Sequence, residues 1–124
     1  MPITYSIDKR QGIILEVWTG EISAADLAAY WKRLLADPEA LAIRKTLVDV
    51  RNCHIRFSGE ELFDLVRAVA ELDLKGRRWR SALLVGEPIH FGVARQYQFF
   101  AEMYSKDAIF YDEDAALKWL IAST

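Results

Sequence analysis

The chain has 124 residues, of which 52% are hydrophobic and 27% are charged, and its formal net charge is −2 at pH 7. This length fits one domain with a single core, and the composition excludes an intrinsically disordered chain. The 16 basic residues do not outnumber the 18 acidic ones, so the basic excess typical of nucleic-acid-binding proteins is absent and we expect no nucleic-acid partner.

The sequence predicts neither export nor membrane insertion. The opening segment, MPITYSIDKR, has no basic start and no apolar stretch, so we expect no signal peptide. No apolar run approaches the roughly 20 residues that cross a bilayer, so we expect no integral membrane segment. Cys53 is the only cysteine, which excludes a disulfide within the chain. We therefore expect a cytoplasmic protein.

The first predicted elements are a β-hairpin and a helix. Residues 3–8 and 12–20 are rich in β-branched and apolar side chains and are separated by a short polar segment, which predicts two antiparallel strands. Apolar residues then recur at helical spacing, at Leu27, Tyr30, Trp31 and Leu34. Ser23 and Asp26 predict a capping box at the start of this helix, and Pro38 lies just past its predicted end.

The middle of the chain predicts two buried strands on either side of an amphipathic helix. The runs at 45–50 and 81–86 are too short for helices and too apolar for loops. The helix between them has one apolar stripe, formed by Leu62, Leu65, Val66, Val69 and Leu72. Gly76 is placed to end this helix. A basic cluster follows, which we interpret as a solvated helix end rather than a nucleic-acid surface: Lys75, Arg77, Arg78 and Arg80 around Trp79.

The last third of the chain predicts two helices around a short strand. Pro88 suits the first turn of a helix, which we expect to run to about Tyr104. Residues 107–111 predict a strand, and 112–120 predict a closing helix with acidic residues at its positive end. The fold class is therefore α/β, with a mixed sheet of about five strands, an N-terminal hairpin followed by parallel strands, and about four helices.

Three segments carry a resemblance to a known family. They are TLVDVRN…FSGEEL, FGVARQYQFFAE and the closing IFYDEDAALKWL. Over nearly its whole length the chain resembles the SpoIIAA-like branch of the STAS-fold proteins, which are small bacterial proteins. The resemblance implies one SpoIIAA-like domain over residues 1–124. It also implies a non-enzymatic module that acts through protein contacts or in regulation.

Ser58 lies where the resemblance implies a regulatory switch. In anti-sigma-factor antagonists of this fold, an aspartate ends the central strand and a kinase phosphorylates a serine of an Asp-Ser-Ser-Gly motif. Asp49 and Ser58 match these two positions, but Phe57 replaces the aspartate of the motif, and Glu60 and Glu61 follow its glycine. Their negative charge disfavours a phosphate there. Ser58 and Glu61 also predict a capping box, so we interpret Ser58 as a helix cap, with phosphorylation and a ligand contact as alternatives.

The carboxyl ends of the parallel strands are the usual place for a ligand in such sheets. Two predicted loops lie there, residues 51–58 and 86–92. With Asp49 at the end of the central strand, they supply the ligand or regulatory candidates Asp49, Cys53, His54, Ser58, Glu87 and His90. Adjacent residues of an extended chain point to opposite sides, so Cys53 and His54 cannot pair readily, although His90 could approach either one. Because no residues have the close paired spacing of a zinc site, we expect no metal, no cofactor and no catalytic residue.

The helix that begins at Pro88 is apolar on two faces. One stripe, at Val93, Tyr97, Phe100 and Tyr104, is the predicted core face. The other consists of Phe91, Arg95 and Phe99 at i, i+4 and i+8. A helix with two apolar faces meets a partner or lines a cleft, unless its large aromatic residues are simply exposed at a rim.

Two hypotheses follow for the function. The first is a protein-interaction module that forms a homodimer through Phe91, Arg95 and Phe99. The second is a carrier of a small apolar or lipid-like ligand, bound between this helix and the carboxyl-end loops. The likening of the family to lipid-carrier domains implies the same. In that cleft His90, Glu87 or Ser58 would hold the polar end of the ligand.

Overall fold

The computed structural model describes residues 1–72 and 78–122, without the side chain of Leu72. Within these ranges the strands are β1 (Ile3–Asp8), β2 (Ile13–Ile22), β3 (Lys45–Ile55), β4 (Trp79–Leu84) and β5 (Ser105–Phe110). The helices are α1 (Ala24–Leu35), α2 (Pro38–Ile43), α3 (Gly59–Leu72), α4 (Pro88–Phe100) and α5 (Glu113–Ala122). None of the helices in the described ranges combines the length and the apolar character needed to cross a bilayer.

The five described strands form one sheet in the order β1-β2-β3-β4-β5. Strands β1 and β2 are antiparallel, and every other neighbouring pair is parallel. Gly12, at φ 70°, closes the hairpin turn by donating from its backbone N–H to the carbonyl of Asp8 at 2.9 Å, a conformation that glycine adopts without strain. The predicted mixed sheet, with a hairpin followed by parallel strands, is confirmed.

The sheet has a core on each face because strand side chains alternate between faces. Helices α1, α3 and α4 cover what we call the front face, and α5 covers the back face. Residues of the front core include Leu27, Tyr30, Val48, Leu62, Val66, Leu83 and Ala94. Residues of the back core are Ile13, Leu47, Ala82, Leu84, Ala116 and Leu120.

Helix α2 was not predicted. Pro38, which we expected to follow the first helix, instead occupies the first turn of a second one. Asp37 caps this helix by accepting a hydrogen bond from the Glu39 backbone N–H at 2.9 Å, and Arg44 ends it in the left-handed region at φ 54°. Proline suits a first helical turn as well as a helix end, and six residues are too few to show a helical period.

Strand β3 is longer than predicted, and it contains a bulge. Cys53 and His54, expected in a loop, lie in this strand. Pairing with β2 shifts register between Val17 opposite Asp49 and Thr19 opposite Asn52, so β3 has one extra residue there. Pairing with β4 ends at Asp49, so the polar end of β3 has only one strand neighbour and tolerates the residues that we took for a loop.

Some predictions differ from the structure at element ends. Helix α4 ends at Phe100, and Tyr104 lies in the turn that follows. The expected helix stop at Gly76, and the cluster members Lys75 and Arg77, lie outside the described residues. The start of α1 is as predicted, with both hydrogen bonds of its capping box present.

Candidate functional site

His90 joins the start of α4 to the end of β3. Its ring is buried, with 2% of its surface exposed. Its Nε2 lies 2.9 Å from the Cys53 carbonyl oxygen, and its Nδ1 accepts from the Gly86 backbone N–H at 3.4 Å. These contacts fit the tautomer with a proton on Nε2 and use both ring nitrogens, so His90 has a structural role in holding α4 on the sheet.

Cys53 and His54 point to opposite sides of β3, as the sequence predicts. The Cys53 thiol is buried and lies 3.2 Å from the Val50 carbonyl oxygen. Burial raises the pKa of this thiol to about 11, with help from the negative charges of Asp49 and Glu87. Since the thiolate is the reactive form, Cys53 is a poor nucleophile at neutral pH. His54 is exposed on the other side.

Asp49 belongs to an ion-pair group that reaches α5. It accepts hydrogen bonds from Nε and Nη2 of Arg51 at 3.0 and 2.9 Å. Arg51 also donates to Glu113 at 3.0 Å. Partial burial would raise the pKa of Asp49, but the hydrogen bonds from Arg51 outweigh it and hold the pKa below its ordinary value. Asp49 therefore holds the end of β3 to α5 through Arg51.

Ser58 is the cap of α3. Its hydroxyl accepts from the Glu61 backbone N–H at 3.1 Å, and the Glu61 carboxylate accepts from the Ser58 backbone N–H at 2.9 Å. The predicted capping box is present. Glu87 precedes α4 without capping it through its side chain, and its carboxylate lies 3.8 Å from Nε2 of His90.

The six candidates do not form one site. His90 meets Glu87 and the backbone of Cys53, whereas Asp49 and Ser58 have partners elsewhere. In the part of the chain that the structure describes, no three His, Cys, Asp or Glu side chains are grouped as metal ligands would be.

A cavity of about 330 Å³ lies between the front face and helices α1, α3 and α4. Its walls are mostly apolar. The aromatic residues that line it are Trp18, Trp31, Phe57, Trp79, Tyr97 and Tyr104. Helix α3 contributes the apolar residues Leu62, Val66, Val69 and Ala70. The volume falls within the range of small-molecule sites in proteins.

Polar side chains cross the floor of this cavity. Thr46 of β3 and Ser81 of β4 both line it and lie side by side in the sheet. Asp107 of β5 pairs with Ser81 on its other side, so the three residues form one row across the sheet. Glu16 of β2 lines the cavity two residues further along the strands, in the row of Val48. Hydroxyl and carboxyl groups thus lie beneath apolar walls, an arrangement that orients a bound molecule.

Glu16 is the most deeply placed charged group of the cavity, with 4% of its surface exposed. The Tyr30 hydroxyl and the Trp18 indole N–H each donate to one of its carboxylate oxygens at 2.7 Å. These bonds favour the charged form, but burial outweighs them and raises the pKa of Glu16 to about 7. Burial also raises the pKa of Tyr30. Near neutral pH Glu16 therefore exchanges between its charged and neutral forms.

Asp107 is a second buried carboxyl, at the β5 side of the sheet. The Ser105 hydroxyl donates to its Oδ1 at 2.7 Å, while Oδ2 has no partner of good geometry within the described residues. Burial raises the pKa of Asp107 to about 6, against the opposing effects of Ser105, Ser81 and the charge of Arg78. Its side chain borders a second, more open cleft on the surface beside α4.

Exposed residues line the cavity at the amino ends of the parallel strands. Among the described residues they are Arg78, before β4, and Met103 and Tyr104, before β5. We expected a cleft between α4 and the carboxyl-end loops. Helix α4 and His90 line the cavity, as expected, but Glu87 and Ser58 do not. Ile55 and Phe57, half-buried at and just past the end of β3, also line it.

Comparison with solved structures identifies the fold. An uncharacterised protein of the DUF3478 family from Shewanella loihica PV-4, described as having a SpoIIAA-like fold, superposes with a TM-score of 0.65. The match covers 95% of this chain and 93% of that one, at 20% sequence identity. The fold is SpoIIAA-like. The predicted resemblance is thus confirmed at the level of the fold. No family model and no curated protein matches the sequence.

Sequence reasoning missed Glu16, which this SpoIIAA-like fold places inside the front core. The signal was present in β2, where Ile14, Glu16 and Trp18 are alternate residues. Alternate residues share one face of a strand, so a glutamate between two large apolar neighbours predicts a buried carboxyl. Thr46, Ser81 and Asp107 gave no such signal, because their burial depends on how the strands are aligned.

The second apolar stripe of α4 faces outward in the SpoIIAA-like fold. Phe99 is 74% exposed, and Phe91 stacks on Tyr111 with ring centroids 6.2 Å apart. Arg95 is exposed and donates to Gln98 at 2.9 Å. The core face is centred on His90 and Ala94, with Val93, Tyr97 and Phe100 half-buried beside it. Within residues 1–72 and 78–122, Phe91, Arg95 and Phe99 therefore lie on the outer face of α4, where only Phe91 is partly covered, by Tyr111.

Proposed function

We propose that this protein is a non-enzymatic STAS-like module that binds a small, largely apolar ligand in the cavity beneath α4. The observation that carries the proposal is the cavity itself, 330 Å³ of space lined mostly by apolar side chains. Thr46, Ser81 and Glu16 on its floor would orient the polar end of the ligand.

The apolar walls of the cavity support binding. Ordered water needs several polar partners, and most of the side chains that line this space offer none. A ligand with an apolar body would displace poorly ordered water and bury the aromatic walls, which favours binding.

The chemistry of the neighbouring residues supports a non-enzymatic role. Cys53 is buried with a raised pKa, and the ring nitrogens of His90 both contact backbone groups. Neither Cys53 nor His90 is therefore placed to act as a nucleophile or as its base.

The proposal is tested with 1-octanol, a neutral probe with an apolar body and one hydroxyl. Titration calorimetry should detect its binding to the wild-type protein. Ala70→Phe, which places a ring in the cavity, should weaken binding at least about tenfold. Ala68→Phe, on the exposed side of the same helix, is the matched control and should bind like wild type. Equal binding by both variants, or none by wild type, contradicts the proposal.

A second candidate function is homodimerisation through the open face of α4. It is favoured by the exposure of Phe99 at 74%, Met103 at 82% and Ile89 at 60%, since large apolar patches often mark interfaces. We expect a dimer at tens of micromolar by light scattering. Phe99→Glu should give a monomer, while Ile121→Glu, an exposed apolar position on α5, should remain a dimer. A monomeric wild-type protein would rule this function out.

A further inference from the structure

Glu16 is a buried carboxylate with no cation beside it among the described residues. Its hydrogen bonds come from two neutral donors, the Tyr30 hydroxyl and the Trp18 indole. Among residues 1–72 and 78–122, no Lys, Arg or His contributes to its charge balance. Buried carboxylates are normally paired with a cation because desolvation of an isolated charge is costly. The carboxylate also lines the cavity, so a ligand can reach it.

The walls around Glu16 are aromatic. Trp18 is its hydrogen-bond donor, and the negative charge of Glu16 acts on the Tyr97 hydroxyl across the cavity. Trp31 packs against Tyr97 with ring centroids 6.1 Å apart. Aromatic faces attract cations, and cages of aromatic rings bind organic ammonium groups. A carboxylate among aromatic rings suits an ammonium group better than a neutral or anionic one.

The other titratable groups around the cavity do not reverse the preference for an ammonium group. Tyr30 comes from α1, His90 and Tyr97 come from α4, and Asp107 lies in the next row on β5. The lining side chains of α3 are apolar. Arg78 lies at the opening, where its guanidinium donates to the carbonyl oxygens of Glu102 and Ser105.

We propose that the ligand carries a protonated amine or another organic ammonium group, which pairs with Glu16 while its apolar body fills the aromatic cavity. The inference rests on the proposed function and narrows it to a class of ligand. The ligand supplies the positive charge that Glu16 lacks among the residues the structure describes, and the ammonium group replaces its lost hydration with the carboxylate and the ring faces.

Three probes that share an eight-carbon chain test this inference: octylammonium, 1-octanol and octanoate. Calorimetry at pH 8 should show octylammonium binding at least about tenfold more tightly than 1-octanol, and octanoate most weakly. Glu16→Gln keeps the size of the side chain and removes its charge. It should reduce octylammonium affinity to that of 1-octanol and leave 1-octanol affinity within about twofold of wild type.

A pH series starts from the wild-type protein, where the comparison of octylammonium with 1-octanol needs no variant. Octylammonium affinity should fall between pH 8 and pH 5.5, because the pKa of Glu16 is about 7 and the neutral carboxyl attracts an ammonium group weakly. The fall should persist in Asp107→Asn and be absent in Glu16→Gln. A fall of equal size for 1-octanol would overturn the inference.

The outcomes separate this inference from the proposed function. If 1-octanol binds and octylammonium binds no more tightly, the ammonium class is wrong and the cavity remains a ligand site. If octanoate binds most tightly, the class is likewise wrong. If none of the three probes binds, both proposals fail.

Discussion

Burial of Glu16 makes the stability of the protein depend on pH. Its pKa is about 7 in the folded state, against an ordinary value of 4.5. Between these pH values the folded state holds a proton that the unfolded chain has released. The contribution of the Glu16 side chain to stability is therefore fully present below about pH 4.5, and it is lost as the pH rises through about 7.

Glu16→Gln should remove this dependence. Relative to wild type, we expect the free energy of unfolding of the variant to rise by about 3 kcal/mol between pH 4.5 and pH 8, since each pKa unit corresponds to about 1.4 kcal/mol. Urea unfolding at several pH values measures it. Asp107, whose pKa is also raised, contributes equally to both proteins and cancels. A difference that stays constant with pH would contradict the assignment.

Ser58 gives a prediction about capping. Ser58→Ala should lower the free energy of unfolding by about 1 kcal/mol, because it removes the acceptor for the Glu61 backbone N–H. Ser58→Asp should stay close to wild type, since aspartate caps helices equally well. Urea unfolding compares the three proteins. Equal losses in both variants would mean that the hydroxyl does something other than cap α3.

At the scale of elements, the bulge in β3 decides which side chains face the core. It places Cys53 in the front core and turns His54 to solvent. Without the extra residue the alternation would reverse. The bulge therefore sets what the carboxyl end of β3 offers to the surface.

Thiol reactivity tests this register. We compare wild type with a double variant, Cys53→Ala and His54→Cys, which moves the one thiol to the neighbouring position. At pH 8 the thiol at position 54 should react with a disulfide reagent at least about a hundredfold faster, because it is exposed and burial does not raise its pKa. Similar rates in the folded proteins would contradict the register.

The sequence predicted structural features that depend on a few consecutive residues. It predicted less well the features that depend on strands or helices distant in the chain. The capping residues Ser23 and Ser58 were predicted correctly because each acts within one turn. Helix α2 was missed because six residues show no period. The end of β3 was missed because its polar residues fit a strand only when β4 has already ended at Leu84.

The candidate site followed the same division. The helix beside it was predicted from its two apolar faces, but its exposed lining at Arg78, Met103 and Tyr104 was not. Those residues come together only when the segments before β4 and β5 lie side by side. The row of Thr46, Ser81 and Asp107 could not be predicted, because it exists only once three strands are aligned.

At the scale of the whole molecule, the two faces of the sheet should respond differently to added volume. Ala94 lines the cavity on the front face, whereas Ala116 is fully buried in the core on the back face. Ala94→Leu should raise the free energy of unfolding by about 1 kcal/mol, as cavity-filling changes do. Ala116→Leu should lower it by about 1–3 kcal/mol, because the larger side chain would have to displace buried neighbours. Thermal unfolding compares them, and a loss of stability in both would contradict the difference between the faces.

The cavity also makes this protein sensitive to pressure. A volume of 330 Å³ amounts to about 200 mL/mol, against the contraction of about 20–100 mL/mol that is usual when a protein unfolds. Hydrostatic pressure favours the state of smaller volume, so the part of this space that water leaves empty should lower the pressure at which the ligand-free protein unfolds. A bound ligand occupies that space, and the pressure at which intrinsic tryptophan fluorescence reports unfolding should rise with ligand concentration.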